Sequence, residues 1–102
     1  MLIGIIDVAG NDLDFCLVVD EKDAELAKKC GEMGMLAWYC ATHPEDWEDN
    51  EYFTKEDVES FYDLGYCEPT EILLKRYGIP YTIVNPEYNE KDEMIADDYV
   101  EV

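Results

Sequence analysis

The chain has 102 residues, with 26 Asp and Glu against 7 Lys and Arg, a net charge of −19 at pH 7, and 48% apolar residues. That length suits one domain around one hydrophobic core, and the apolar share is too high for a chain that stays unfolded. The charge argues against nucleic acid and anionic membrane as direct ligands, because phosphate contacts need Lys and Arg, and it favours cationic partners.

Residues 1–20 are expected to form a hairpin. The run from Leu2 to Val8 is rich in Ile and Val, and a second run begins at Asp12 and ends at Val19. Between them Ala9, Gly10, Asn11 and Asp12 tolerate the positive φ of a tight turn. Ile3 and Ile5 point one way while Leu2, Gly4 and Ile6 point the other; apolar residues on both faces suit a covered, central strand. Residues 2–6 are too few, and lack the basic start, for a signal peptide. No stretch approaches the length of a membrane span. Cys16, Cys30, Cys40 and Cys67 form no C-x-x-C pair, and reduced thiols in a cytoplasmic setting are the simplest reading.

Asp20 reads as the N-cap of a long helix over residues 24–41. Leu26, Cys30, Met33, Ala37 and Cys40 recur at helical spacing and define its expected inward face. Gly31 and Gly34 weaken this helix but allow close packing on the sheet, and His43-Pro44 ends it. Residues 45–53 form an acidic connector. Thr54 caps a short helix with Val58, Phe61 and Leu64 inward, and Gly65 stops it. Pro69 starts another helix, with Ile72, Leu73 and Tyr77 as its apolar side and Gly78 as its end. Residues 79–84 read as a third strand that Pro80 places at an edge or starts late.

The expected architecture is therefore α+β: a small antiparallel sheet of about three strands, the N-terminal hairpin plus a late strand, covered by one long and two short helices. Residues 1–86 form the domain, and 87–102 an acidic C-terminal tail that still holds Met94, Ile95 and the alternation Tyr99-Val100-Glu101-Val102. The core is expected to draw on Ile3, Ile5, Phe15, Leu17, Val19, Leu26, Met33, Phe61, Leu73 and Ile83.

The acids are patterned. Residues 45–63 hold Glu45, Asp46, Glu48, Asp49, Glu51, Glu56, Asp57, Glu59 and Asp63 against one Lys, and residues 87–101 hold seven acids against one Lys. Acids three and four apart on a helix lie roughly 5–6 Å apart at Cβ, near the spacing of phosphates along a strand. Such clusters imitate DNA only if they converge on one face; otherwise they are a solubilising surface. Trp47, Tyr52 and Phe53 in the connector, and Tyr88 and Tyr99 in the tail, are the aromatic anchors a protein interface would use. Trp47 and Phe53 equally suit a small apolar cluster beneath a long loop.

Other chemistry finds weaker support. Residues 46–57 have the length of an EF-hand loop, but Glu51 and Asp57 stand where Gly and Glu are needed. Cys40 and His43 have ligand-like spacing for zinc, with Cys30 or Cys67 to complete a set, but no second close pair follows. Cys67 precedes a helix whose dipole would lower a thiol pKa, with His43 as the sole imidazole partner and Glu68 opposing. Among so many acids, close carboxylate pairs arise by chance. No glycine loop for phosphate is present. No catalytic residue, cofactor or metal ligand is assigned.

The residues point to a binding protein, not an enzyme. Its partner would be a protein with a basic nucleic-acid-binding groove, occupied by Glu45, Asp46, Glu48, Asp49, Glu51, Glu56, Glu59 and Asp63, with Trp47, Tyr52, Phe53 and Tyr88 supplying contact area. In size, charge and aromatic content the chain is similar to small acidic inhibitors encoded by phages and mobile elements, including anti-CRISPR and anti-restriction proteins. No residue motif carries that likeness. Two other readings stand beside it: an adaptor or assembly protein that binds through its C-terminal tail, lending the Tyr99–Val102 strand to another sheet, and a small metal protein or enzyme using Cys40, His43 and Cys67.

Overall fold

The computed structural model describes residues 1–102. Its elements, in chain order, are β1 (Leu2–Ile6), β2 (Phe15–Val18), α1 (Ala24–Cys40), α2 (Lys55–Ser60), α3 (Glu68–Arg76), β3 (Thr82–Val84) and β4 (Asp98–Glu101), with 3-10 turns at Glu21–Asp23, Pro44–Asp46 and Phe61–Asp63. The α+β class expected from the residues holds. The sheet differs: it has four strands in the order β3-β2-β1-β4. β1 pairs antiparallel with β2, and β2 with β3, but β4 lies parallel to β1. The expected three-stranded, wholly antiparallel sheet is thereby corrected.

The physical reason lies in the connection. Parallel strands cannot be joined by a tight turn and need a crossover of a dozen residues or so. Residues 85–97 supply it without a helix, running over the sheet face opposite α1. Met94 is buried there; its sulfur receives the Cys16 thiol at 3.7 Å and occupies the space where a side chain on Gly4 would stand. The Tyr99–Val102 segment thus joins its own sheet, with Tyr99 opposite Gly4 and Val100 opposite Ile5. β1, apolar on both faces, is central, as its composition requires.

The β1–β2 connection is not a tight turn. It runs from Asp7 to Asp14, with positive φ at Gly10 (75°) and at Asp12 (58°), and a carboxylate, not a two-residue turn, shapes it. The Asp7 side chain accepts from the amides of Ala9 at 3.1 Å and Asn11 at 2.8 Å. Asp14 accepts from the Asp7 amide at 2.7 Å.

α1 spans almost the expected residues, and its inward face is in part the expected one, with Cys30 and Ala37 buried. Ala24, Ala27, Cys30, Gly31, Gly34, Met35 and Ala37 are buried, whereas Leu26 is 38% exposed and Met33 and Cys40 are only half-buried. The inward stripe is made of small residues because neighbours come close. A Cβ on Gly34 would meet the backbone of Thr70 in α3, 2.5 Å from its N and 2.6 Å from its Cα; a Cβ on Gly31 would meet the end of the Ile5 side chain. Side-chain volume on α1 is traded for backbone proximity to β1 and α3. Asp20 makes no capping bond, and a 3-10 turn leads into the helix instead.

The other boundaries follow local rules. Thr54 and Asp57 form a reciprocal capping box at α2, and Pro69 sits in the first turn of α3. α3 closes on a Schellman motif: the Gly78 amide (φ +67°) bonds the Lys75 carbonyl, and the Ile79 amide bonds that of Leu74 at 2.9 Å. Ile79 is buried as that motif's apolar contact, so β3 begins only at Thr82. α3 turns Pro69, Thr70, Leu73 and Leu74 inward; the expected Ile72 and Tyr77 are each 38% exposed. Of the expected core, Ile3, Ile5, Phe15, Leu17, Val19, Phe61 and Leu73 are buried, and Met33 and Ile83 pack against it half-buried.

Gly34→Ala should destabilise the protein by about 3 kcal/mol, since backbone must move to admit one methyl, whereas Gly31→Ala should cost less because the Ile5 tip can shift. Urea unfolding of both variants checks the order; equal or negligible losses would contradict this packing.

Candidate partner-binding surface

The connector after α1 is folded tightly by its own side chains. The Trp47 indole N–H donates to the Phe53 carbonyl at 3.0 Å, and the Asn50 side-chain oxygen accepts from the amides of Tyr52 at 2.8 Å and Phe53 at 3.0 Å. Asp49 accepts from the Lys55 amide at 2.6 Å. Phe53 stacks edge-on to Phe61 with centroids 4.8 Å apart, and the Arg76 guanidinium lies 5.4 Å from the Phe53 ring centre while donating to the Tyr52 carbonyl.

Burial sorts the residues named from the sequence. Trp47 and Phe53 are 7% and 1% exposed. They hold the loop from beneath and present no contact area, because an apolar ring next to the α2 core gains more by burial than by waiting in water for a partner. Tyr52 is half-buried against Tyr77, with ring centres 6.4 Å apart. Glu45, Asp46, Glu48, Asp49, Glu51, Glu56, Glu59 and Asp63 are all exposed. Asp49, Glu56 and Glu59 border one shallow concavity with Thr54 and Lys55. Asp57 is spent on the capping box.

Tyr88 is exposed, but elsewhere. Its hydroxyl donates to Asp14 at 2.9 Å, and burial together with that carboxylate pushes its pKa up to about 12. With Tyr99, Asp92, Glu93 and Glu101 it lines a cleft of about 450 Å³ on the sheet face that residues 85–97 cross. Residues 45–63 belong instead to the helical layer, where Trp47, Phe53, Val58 and Phe61 share the core with α1 and α3. Residues 87–97 and 45–63 therefore lie on opposite sides of the sheet, whereas Asp98 of β4 turns to the α1 side and pairs with Lys28 at 2.9 Å.

Asp7 was not singled out by sequence reasoning. It is 6% exposed and receives the Tyr39 hydroxyl in addition to its two amides. Those bonds, Tyr39 first, hold its carboxyl below the usual 3.8. The signal available in the sequence was an Asp ending an apolar strand just before Gly-Asn, a pattern that reads equally well as ordinary turn chemistry.

The alternative chemistries do not assemble. No three His, Cys, Asp or Glu side chains come together as a metal site would require, so neither the residue 46–57 loop nor Cys40, His43 and their companions form one. Cys67 is not activated: burial, with Glu71 and Glu68 nearby, pushes its thiol up to about 11, and Cys30 is likewise raised to about 11 by burial. No helix is long and apolar enough to cross a membrane. Compared with known protein families, curated proteins and solved structures, the chain matches none.

Because the folded pKa of Asp7 is depressed, its contribution to stability is present in full above the unfolded value and is lost as pH falls through the folded one. Asp7→Asn should therefore lower Tm at neutral pH and flatten the decline of stability below about pH 4; an unaltered acid limb would contradict the role of Asp7. Separately, no cysteine of the folded protein should react quickly with iodoacetamide near neutral pH, and fast selective labelling of Cys67 would contradict its raised pKa.

Proposed function

We propose that the protein binds a partner protein at a basic, nucleic-acid-binding surface and blocks it by occupancy, in the manner of phage and mobile-element anti-defence inhibitors. The observation that carries this reading is the state of the acids at residues 45–63. Eight of them are exposed on a loop and short helix fixed from within, and none makes a salt bridge to Lys or Arg, although Lys55 borders the same concavity as Asp49, Glu56 and Glu59. Only Glu25, Glu32 and Asp98 pair with a lysine anywhere; in the cluster, Glu45 alone has a neighbour of that kind, His43 at 3.6 Å.

Magnitudes limit which part of the surface can imitate DNA. The 26 acids spread over 6095 Å² average about one per 230 Å², whereas duplex DNA carries roughly one charge per 110 Å². The whole surface falls short by about half, so the work falls to the residue 45–63 cluster. Fixed carboxylates in that cluster would steer a basic partner into encounter and make association fast and salt-sensitive. Tyr88 and the acids of residues 87–97, across the sheet, are left outside this contact.

Replacing Glu48, Glu51, Glu56 and Glu59 together by Gln removes four exposed charges that make no salt bridge. Binding to a basic protein retained from host lysate, and displaced by duplex DNA, should weaken about 100-fold at low salt, with a shallower salt dependence and no loss of Tm. Unchanged affinity, or a partner that survives high salt and ignores duplex, would contradict the proposal.

A further inference from the structure

A groove of about 370 Å³ opens where the β1–β2 connection, the end of α1 and the turn after α2 meet. Leu13, Trp38, Tyr39, Phe61 and Tyr62 form its walls, with Thr42 at its edge. The polar tips of the two central rings are turned inward and satisfied. The Trp38 indole donates to the Leu64 carbonyl at 2.9 Å, and the Tyr39 hydroxyl donates to buried Asp7. What faces the groove is therefore apolar ring surface held in fixed orientation, Trp38 lying edge-on to Tyr39 and to Tyr66 with centroids 5.8 and 6.4 Å apart. Tyr62 is 70% exposed, more than any other large hydrophobic side chain of the protein. Exposed apolar surface rimmed by polar residues is a recurring mark of a protein interaction site.

Charge around the groove selects what covers it. No Lys or Arg lines the groove, and the buried carboxylate of Asp7 stands behind Tyr39. Asp12 and Asp63, next in sequence to the lining residues, are exposed. An acidic or neutral segment would gain the apolar contact against this repulsive or indifferent rim; a basic one gains both terms.

We infer that the groove receives a single large apolar side chain, such as Phe or Leu, carried on a Lys- and Arg-rich segment of the partner protein. The inference rests on the acidic-binding reading above and gives that contact its anchor: the acids set encounter and register, while Trp38, Tyr39 and Tyr62 enclose the side chain and set the lifetime of the complex. A DNA duplex offers no such side chain, so the groove is where this protein would gain affinity over the nucleic acid it displaces.

The test uses the full chain and three short synthetic peptides, titrated while the Trp38 indole and neighbouring amides are followed by NMR. One peptide is Lys/Arg-rich with a central Phe, the second replaces that Phe with Ala, and the third keeps the Phe on a Glu-rich frame. The basic Phe peptide should bind at least about tenfold more tightly than its Ala counterpart. Its shifts should centre on Trp38, Ala41, Thr42 and Tyr62, and the acidic peptide should not bind. Tyr62→Ala, at an exposed position where folding is not at risk, should erase the difference between the two basic peptides. Equal binding of the Phe and Ala peptides would overturn the groove inference while leaving the acidic-surface reading intact. Binding of neither basic peptide at low salt would overturn both. Equal binding of the acidic Phe peptide would overturn the charge selection, and a concentration-dependent dimer abolished by Tyr62→Ala would assign the groove to a second copy of the chain.

Discussion

The rest of the molecule depends on how closely α1 approaches its neighbours at Gly31 and Gly34. Those two positions bring the helix backbone against the Ile5 side chain on one side and the Thr70 backbone on the other. With them the sheet, α1 and α3 close into one core; a methyl at Gly34 would push α3 away. The cost appears at Thr70, whose buried hydroxyl oxygen finds no hydrogen-bond partner in the protein. Tight closure matters more here than in a neutral protein, because a net charge of −19 opposes every compact state by self-repulsion.

That closure also explains the surface. With core volume concentrated in Phe15, Phe53, Phe61, Leu73, Leu74 and the β1 isoleucines, Trp47 and Phe53 are drawn under the connector and its acids are left outside on a fixed frame. Fixed charges are costly to a fold and valuable to a binding site, since a pre-arranged cluster loses little freedom when a partner arrives. The buried Asp7 does comparable work in the β1–β2 connection. It shapes the β1–β2 connection and orients Tyr39, and through that ring it lends the adjacent groove one wall.

Much of this was legible in the residues, and the failures have physical causes. The extent of α1, the Thr54 cap, the Pro69 start and the Gly78 stop are local signals, read from a few neighbouring residues. On α1, Cys30, Ala37 and the close approach at Gly31 and Gly34 were readable, but Leu26 was wrongly turned inward, because hydrophobicity favours it whereas close packing selects the small Ala27. The alternation of Tyr99–Val102 was visible, but its place beside β1 was missed because the partner of a short parallel edge strand depends on residues far away in sequence. The exposed acids stand where the pattern put them, but their division between two sides of the sheet depends on the crossover of residues 85–97, which no local rule supplies.

If this protein and nucleic acid compete for one basic surface, hydrogen exchange on the purified partner, measured free, with duplex DNA and with this protein, will show it. Both ligands are expected to protect the same amides of the partner's basic groove, with protection by this protein fading with salt as the DNA footprint does. Protection of a separate, non-basic surface, with the DNA footprint undisturbed when both ligands are present, would contradict the proposal.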